Sequence, residues 1–246
     1  MRPSFHHQHR ILTQRYLACM LGDWATVVLL LLQAPFIGWL CTLVWGSVET
    51  DTHSLYFVLS LSAVWFGCIN ACREIVKERN IVERERLMGL SLSAYVVSRF
   101  KVLAVLGFVQ VVLLQLAVEW SLALRGAFLM QTMALWLAML CGVGLGLLIS
   151  AFSTSQERAV GAVPLLILPQ ILFSEFAVPR EHFSDVVGLI ELMMPVGWCY
   201  DVFVELAALD THWLDVLSSL LVLIVMTILL GAASAAVLIP KREVVS

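Results

Sequence analysis

Six long apolar runs dominate this sequence and restrict the chain to folds whose helices lie in a membrane. A helix needs about 20 apolar residues to cross a hydrocarbon layer of roughly 30 Å. The mean hydropathy is +0.93, and 61% of the residues are hydrophobic whereas 13% are charged. Soluble domains carry about 25% charged residues. We therefore predict an all-α integral membrane protein with six transmembrane helices, of which the fifth is short and contains Pro164 and Pro169. The predicted spans cover residues 24–48, 55–72, 94–118, 130–152, 159–176 and 213–238.

The basic residues are distributed unevenly between the two sides of these spans. With six spans both termini lie on the same side, and thirteen of the fifteen Lys and Arg residues fall on that side. Only Arg125 and Arg180 lie on the other side. Because cytoplasmic loops of membrane proteins are enriched in Lys and Arg, both termini are predicted to be cytoplasmic. The expected location is the plasma membrane, here a bacterial inner membrane.

The whole chain, 1–246, is predicted to form a single transmembrane domain. Before the first span, Leu12, Tyr16, Cys19 and Met20 cluster on one side of a helical projection. This pattern is typical of an amphipathic helix lying in the membrane interface, and a polar lead-in to the first span is the alternative. The predicted segments are an amphipathic cytoplasmic helix (1–23), the first two spans (24–72), a charged cytoplasmic element (73–93), the third to fifth spans (94–176), an outer loop with short helices (177–212), the sixth span (213–238) and a cytoplasmic tail (239–246).

The densest charge in the sequence directly follows the second predicted span. Residues 73–86 contain nine charged side chains, five basic and four acidic. Neighbouring charges of opposite sign favour helices with ion pairs along one face, and Glu74 with Lys77 and Glu83 with Arg86 are candidate pairs. We predict two short cytoplasmic helices with a surface suited to a soluble protein partner. A plain solvated loop is the alternative.

The sequence lacks the motifs of several enzyme classes. It contains no G-x-x-x-x-G-K-[ST] phosphate-binding loop, so ATP is not expected to bind this chain in that manner. Cys68 and Cys72 lie one helical turn apart, and we interpret them as packed residues because free cysteine is usually buried. Gly142, Gly146 and Ser150 recur every four residues, a spacing that lets membrane helices approach closely. We expect no catalytic residues, cofactor, metal site or nucleic-acid partner in this chain.

One stretch between the second and third predicted spans resembles a family signature. The sequence CINACREIVKERNIVERERLMGLSLSAYVVSRF is similar to that of ABC transporter membrane domains of the G subfamily and their prokaryotic, ABC-2 type relatives. In that family an asparagine-containing motif ends the second span, followed by R-E-I-x-x-E-R, R-E-R, G-L-S and an aromatic residue. The stretches LLLLQAPFIGWL and LPQILFSEFAVP also agree. The matching positions are Asn70, Arg73, Glu74, Glu78, Arg79, Arg84, Glu85, Arg86, Gly89, Ser91 and Tyr95.

The resemblance implies a permease subunit that depends on a partner for ATP. Family members dimerise so that two sets of six spans enclose a central cavity, and an ATP-binding cassette subunit under each half hydrolyses ATP with Mg²⁺. The implied partners are this ATPase, a second permease half in a homo- or heterodimer, and membrane lipids. The amphipathic helix resembles the family's connecting helix, and the charged element resembles its coupling element.

The resemblance also implies roles for individual residues. Those implied to couple the chain to the ATPase are Glu74, Glu78, Arg79, Glu83, Arg84, Glu85 and Arg86. Those implied to line the cargo cavity are Phe66, Asn70 and Trp65, with ordinary helix packing as the alternative for Phe66. Those implied to form the outer gate are Phe173, Glu175, Phe176 and Ala177. Glu175 replaces the family's usual glycine, and a boundary carboxylate that reaches water is the alternative for it.

These inferences lead to one functional hypothesis and several alternatives. We interpret the chain as the permease subunit of an ATP-driven exporter that moves an amphipathic, lipidic or hydrophobic molecule outward. A polysaccharide or peptide exporter of the same architecture is the first alternative. A membrane scaffold or regulator that binds an ATPase without passing cargo is the second. An intramembrane enzyme is a more distant alternative, because the sequence shows no catalytic constellation.

Overall fold

The computed structural model describes residues 5–47, 53–174 and 184–238, and these residues form helices joined by short turns. Several helices begin where a side chain caps the backbone. Asp23 accepts a hydrogen bond from the backbone N–H of Thr26 at 3.4 Å, and Ser91 and Ser155 cap two later helices in the same way. Such caps satisfy backbone donors that have no partner within the helix. The helices are α1 (Phe5–Gly22), α2 (Trp24–Trp45), α3 (His53–Ala71), α4 (Arg79–Leu87), α5 (Leu92–Glu119), α6 (Phe128–Phe152), α7 (Gln156–Leu172), α8 (Asp185–Glu191), α9 (Pro195–Ala207) and α10 (Trp213–Val237).

The long helices follow the apolar runs closely. By length and composition five helical stretches among the described residues can cross a membrane, namely α2, the run His53–Leu87 that begins with α3, α5, α6 and α10. The pair α8 and α9 bends by 81° and provides a sixth if it is counted as one span. The protein is thus a multi-pass membrane protein with five or six candidate spans, which supports the predicted helical architecture in outline.

The predicted fifth span corresponds to α7, which has 17 residues and ends at Leu172. Pro164 and Pro169 lie inside this helix, and each lacks the backbone N–H that would continue the helical hydrogen bonds. The helix buries one face through Ala159, Val163 and Ile167. It is shorter than the five helical stretches that meet the length criterion, so its role as a span stays a prediction.

Helices α3 and α6 form the closest helix pair at the centre of the bundle. A Cβ atom added at Gly146 would lie 2.6 Å from the carbonyl oxygen of Cys68. At Gly67 and Gly142 an added Cβ would come even closer to the facing backbone. The predicted packing role of Gly142 and Gly146 is therefore confirmed, because only glycine permits two helix backbones to approach this closely.

One end of the bundle carries the densest group of charged side chains among the described residues and is called the charged end below. It consists of α1, the turn of 3-10 helix Val76–Glu78 and α4. The turn and α4 meet at Glu78 and Arg79, which agrees with the prediction of two short helical pieces. At the opposite end, α9 packs against α3, α6 and α10. Short helices therefore do occur within the predicted outer segment 177–212, of which residues 177–183 lie outside the described part.

Candidate functional site at the charged end

The segment that follows α3 is fixed to the end of α6. The backbone N–H groups of Ile75 and Val76 donate to the side-chain oxygen of Ser150 at 2.9 and 3.0 Å. The guanidinium of Arg79 donates to the backbone oxygen of Ser153 at 2.9 Å and to that of Ala151 at 3.3 Å. Each contact joins residues more than 70 positions apart in sequence. The charged segment is therefore held in place by the bundle.

A buried ion pair links the same segment to α5. The guanidinium of Arg99 donates to the Glu78 carboxylate, and the Arg99 side chain is 1% exposed. The Arg99 guanidinium also lies over the ring of Tyr16, 3.9 Å from its centre, and over the ring of Tyr95 at 4.8 Å. A guanidinium over an aromatic face is stabilised by the ring's negative charge density. Arg99 thus joins α1, α5 and the 3-10 turn in one cluster.

Helix α1 is attached to the other end of α4. Arg15 forms an ion pair with Glu85 at 2.5 Å, and the hydrogen bond that its guanidinium donates to the Glu85 carboxylate raises the pKa of Arg15. Gln8 donates to the backbone oxygen of Gly89 at 3.3 Å and accepts from the backbone N–H of Ser91 at 2.8 Å. Gly89 has a φ of 101°, a backbone conformation that favours glycine. The turn between α4 and α5 is therefore pinned by α1.

The side of α4 opposite its buried residue Val82 remains open. It forms a surface that we call the α4 surface. Its apolar members Leu87 and Met88 are 90% and 79% exposed. The exposed Glu83 and Arg84 lie one turn before them on the same side, so the surface combines an apolar part with charged neighbours. The α4 surface consists of Asn80, Glu83, Arg84, Leu87 and Met88.

Helix α3 also has one open side. Thirteen of its residues are buried, and the partly exposed ones recur every third or fourth position along a single line. That spacing places them on one face of a helix. Beyond Ser54 at the start of the helix, the residues of this face are apolar or aromatic. We call them the α3 stripe, which consists of Val58, Leu61, Trp65 and Ile69.

Comparison with known proteins identifies the family. The ABC-2 type transporter family matches residues 7–208 of the sequence. The chain belongs to the ABC-2 type transporter family. A part of the chain is also 25% identical over 142 residues to the ABC transporter ATP-binding/permease protein Rv1747 of Mycobacterium tuberculosis. That alignment covers 54% of this chain and 16% of the relative, so the chain spans only a small part of the relative's length.

Membership in the ABC-2 type transporters confirms the resemblance inferred from the sequence. The family consists of membrane permease domains rather than ATP-binding domains, and such domains work with ATP-binding cassette subunits. The match covers the charged end from residue 7 onward and the whole of α5. It also includes the whole α3 stripe.

The residues implied to couple this ABC-2 type transporter to an ATPase divide into two groups. Glu74, Glu78 and Glu85 bind basic partners within the chain, whereas Glu83, Arg84 and Arg86 are exposed. Arg79 links the two groups, because it is partly buried against α6 and also pairs with the exposed Glu83 at 3.7 Å. The coupling role itself stays a prediction for all seven.

Of the two ion pairs predicted within the charged segment, one is confirmed and the other is wrong. Glu74 pairs with Lys77 at 2.5 Å, as predicted. Glu83 pairs with Arg79, four residues before it, and not with Arg86. The prediction of a Glu83–Arg86 pair was wrong, because the Glu83 carboxylate has its ion-pair partner on the preceding turn of α4, at Arg79.

The residues implied to line the cargo cavity occupy different environments. The side chain of Phe66 is fully buried in the bundle. Asn70 is also buried and donates to Gln110 at 2.5 Å. Trp65 lies on the α3 stripe and is partly exposed. Of the three, Trp65 is the residue best placed to meet a molecule beside α3, and the cargo role stays a prediction.

The implied gate residues lie at or beyond the end of α7. The backbone N–H of Phe173 donates to Pro169 at 2.9 Å and closes the helix. Glu175, Phe176 and Ala177 lie outside the described residues. The gate therefore stays a prediction.

Sequence reasoning missed the residues that hold the charged end together. Ser150 was interpreted only as a packing residue, and Arg99 was counted only among the basic residues of one side. Their partners are remote in the chain, so no local pattern identifies them. Leu87 and Met88 did carry a signal, since they are apolar residues at the end of a highly charged segment.

Proposed function

We propose that this chain is the permease subunit of an ATP-driven exporter that moves an amphipathic, lipidic or hydrophobic molecule outward. It would form a homo- or heterodimer with a second permease half and bind a separate ATP-binding cassette subunit. The charged end, with both termini, would lie in the cytoplasm. The observation that carries the proposal is the α4 surface, which projects from a segment fixed to three helices.

The composition of the α4 surface supports docking of a protein. Exposed apolar side chains at a water-facing position are unfavourable unless a partner covers them. Leu87 and Met88 provide the apolar contact, while Glu83 and Arg84 provide polar contacts at its rim. Protein interfaces commonly combine a buried apolar centre with a polar rim. An ATPase is the partner that family membership favours.

The attachments of α4 support transmission of force. ATP-driven closure of the partner would move α4, and α4 is joined to α1 through Arg15 and Glu85. The same segment is joined to α5 through Glu78 and to α6 through Ser150. These contacts would convert movement of the docked ATPase into movement of the spans. The result would be a shift between two global conformations.

The α3 stripe supports an apolar cargo over a polysaccharide. The open residues Val58, Leu61, Trp65 and Ile69 are all apolar or aromatic. A polysaccharide would require hydrogen-bonding groups along its path, because desolvation of its hydroxyl groups must be compensated. A lipid or a hydrophobic compound has no such requirement along its apolar part.

The proposal is tested by replacing the apolar centre of the α4 surface. The double variant Leu87→Ser with Met88→Ser should abolish copurification with the ATPase, or uncouple ATP hydrolysis from transport, without lowering the melting temperature. A matched control is Leu209→Ser, since Leu209 is 99% exposed and lies between α9 and α10. Normal assembly and transport by the double variant would contradict the coupling role. Coupled ATP hydrolysis that no apolar or amphipathic cargo stimulates would favour the scaffold alternative.

A further inference from the structure

A cavity of about 120 Å³ lies at the charged end between α1, α2, α3 and α5. Its lining is more polar than its position beside the spans would suggest. Neither the α4 surface nor the α3 stripe explains why polar residues line this cavity. The polar residues of the lining include Asp23, Asn70, Arg73, Glu74 and Lys77.

The hydrogen-bond network determines which group of Asn70 is available for a ligand. Gln110 contacts the backbone oxygen of Leu30 at 2.8 Å, and that oxygen can only accept, so Gln110 must donate there through its amide nitrogen. Its own oxygen therefore accepts from the Asn70 amide nitrogen at 2.5 Å. The remaining oxygen of Asn70 is buried and has no donor among the described residues.

Glu74 provides a second buried acceptor in the same lining. One carboxylate oxygen accepts from Lys77 at 2.5 Å. The other has no hydrogen-bond partner within 3.5 Å among the described residues, and the Tyr16 hydroxyl lies beside this carboxylate. The Glu74 residue is 8% exposed. Burial, together with the nearby Glu74 carboxylate, raises the pKa of Tyr16 well above its usual range. A buried polar atom without a partner is costly, so both oxygens favour a bound donor.

The charges of the lining favour a zwitterionic ligand. The Asp23 carboxylate, the free Glu74 oxygen and the Asn70 oxygen are three acceptors, which match the three N–H donors of a primary ammonium group. Arg73 is exposed at the rim of the cavity and forms no ion pair with any described residue. A guanidinium binds phosphate well through parallel hydrogen bonds. The lining therefore offers acceptors for an amine and a donor for a phosphate.

An apolar groove of about 330 Å³ adjoins this cavity between α1, α2 and α5. Met20, Val27 and Leu106 line both spaces, so the groove and the cavity are neighbours. The groove is lined almost entirely by apolar side chains, among them Leu31 and Val105. In a membrane protein an open apolar groove beside the spans suits an acyl chain.

We propose that the cavity binds the primary ammonium group of a phosphatidylethanolamine-type lipid, with the lipid phosphate at Arg73 and one acyl chain in the adjoining groove. The bound lipid would connect α1 to α2, α3 and α5 at the end where α4 is anchored. The cavity adjoins the end of the α3 stripe, since Ile69 lines it, but its polar acceptors lie off the stripe, and the proposal does not depend on which molecule the protein transports.

The proposal is tested with lipids that differ only in their N–H donors. The full-length protein is placed in nanodiscs of phosphatidylcholine that contain phosphatidylethanolamine or its N-monomethyl or N,N-dimethyl derivative. Lipid retention in native mass spectrometry and the melting temperature are measured. Retention should fall stepwise as methyl groups replace N–H donors, with a preference of about tenfold or more for the primary amine over the quaternary one. Equal retention of all four headgroups would overturn the proposal.

Substitutions in the cavity lining test whether the preference for the primary amine arises at this site. The double variant Asp23→Asn with Glu74→Gln should remove the preference for the primary amine, while asparagine retains the cap of α2. Glu83→Gln, which changes an exposed carboxylate on the α4 surface, should leave the preference unchanged. A preference that persists in the double variant would overturn the assignment of the site, as would ordered water in the cavity with no lipid preference.

A larger side chain in the apolar groove tests whether the acyl chain of the lipid binds there. Val105→Trp should weaken lipid retention, because Val105 is 63% exposed and lines the groove. Val160→Trp, at an exposed position on α7, provides a control of equal size. Equal retention by the two variants would overturn the placement of the acyl chain.

Discussion

Arg99 and Glu78 form a buried ion pair that connects α5 to the 3-10 turn before α4. The side chains are 1% and 17% exposed, so neither is screened strongly by water. The pair lies between the proposed docking surface and the spans. The pair therefore joins the turn that precedes α4 directly to α5.

Removal of the Glu78 charge should destabilise the protein. In Glu78→Gln the buried Arg99 guanidinium loses its counter-charge, and loss of one partner of a buried pair costs about 3–5 kcal/mol. Thermal unfolding in detergent or nanodiscs measures the effect. Arg84→Gln, which alters an exposed charge on α4, should change stability by less than about 0.5 kcal/mol. Equal stability of the two variants would show that the ion pair contributes nothing.

Removal of the Ser150 hydroxyl should loosen the charged segment. Ser150→Ala leaves the N–H groups of Ile75 and Val76 without their acceptor, and an unsatisfied buried donor costs about 1–3 kcal/mol. Hydrogen exchange should become faster across residues 75–87. Ser218→Ala is the matched control, because Ser218 is exposed and donates only to the backbone of its own helix. Unchanged exchange in Ser150→Ala would contradict the anchoring role.

A methyl group at Gly142 should disrupt the central helix pair. The Cβ of Gly142→Ala would collide with the backbone of α3 at Val64, and a backbone cannot move aside as a flexible side chain can. We expect a large fall in the yield of folded protein. Gly161→Ala provides the control, because no atom lies within 4 Å of an added Cβ there. Normal folding of Gly142→Ala would mean that α3 and α6 are less closely packed.

Trp65 and Phe66 should respond differently to truncation. Phe66→Ala removes a fully buried ring and should destabilise the protein by about 3–5 kcal/mol. Trp65→Ala should change stability less and should reduce the stimulation of ATP hydrolysis by cargo, because Trp65 lies on the open side of α3. Melting temperature and cargo-stimulated ATPase activity of the reconstituted complex separate the two effects. Loss of cargo stimulation in a stably folded Phe66→Ala would instead support the role that the family resemblance implied for Phe66.

The long helices could be predicted from sequence because each is encoded by a continuous apolar run. The predicted third span, 94–118, differs from α5 by no more than two residues at either end. The fourth predicted span, 130–152, shows the same agreement with α6. The fifth apolar run was a weaker predictor, since its two prolines accompany a shorter helix.

The environment of individual site residues could be predicted less well. One charged segment contains Glu74, Glu78, Glu83 and Arg84. Its sequence pattern does not show which of these side chains are buried and which are exposed. Only the folded bundle separates them, because Glu74 and Glu78 are buried or partly buried, whereas the side chains of Glu83 and Arg84 are exposed. Which of the side chains of Trp65 and Phe66 is buried likewise depends on which faces of α3 the other helices cover.

The amino-acid sequence was enough to predict a helical membrane protein of the ABC-2 type, because hydropathy acts locally and the family signature is continuous. Which charged residues anchor α4, and which remain exposed for a partner, follows only from the packing of the helices. That packing also brought Asn70 and Glu74 into one cavity lining with Asp23. The physical reason is that burial and long-range hydrogen bonds depend on helix packing, which brings together residues that lie far apart in the chain.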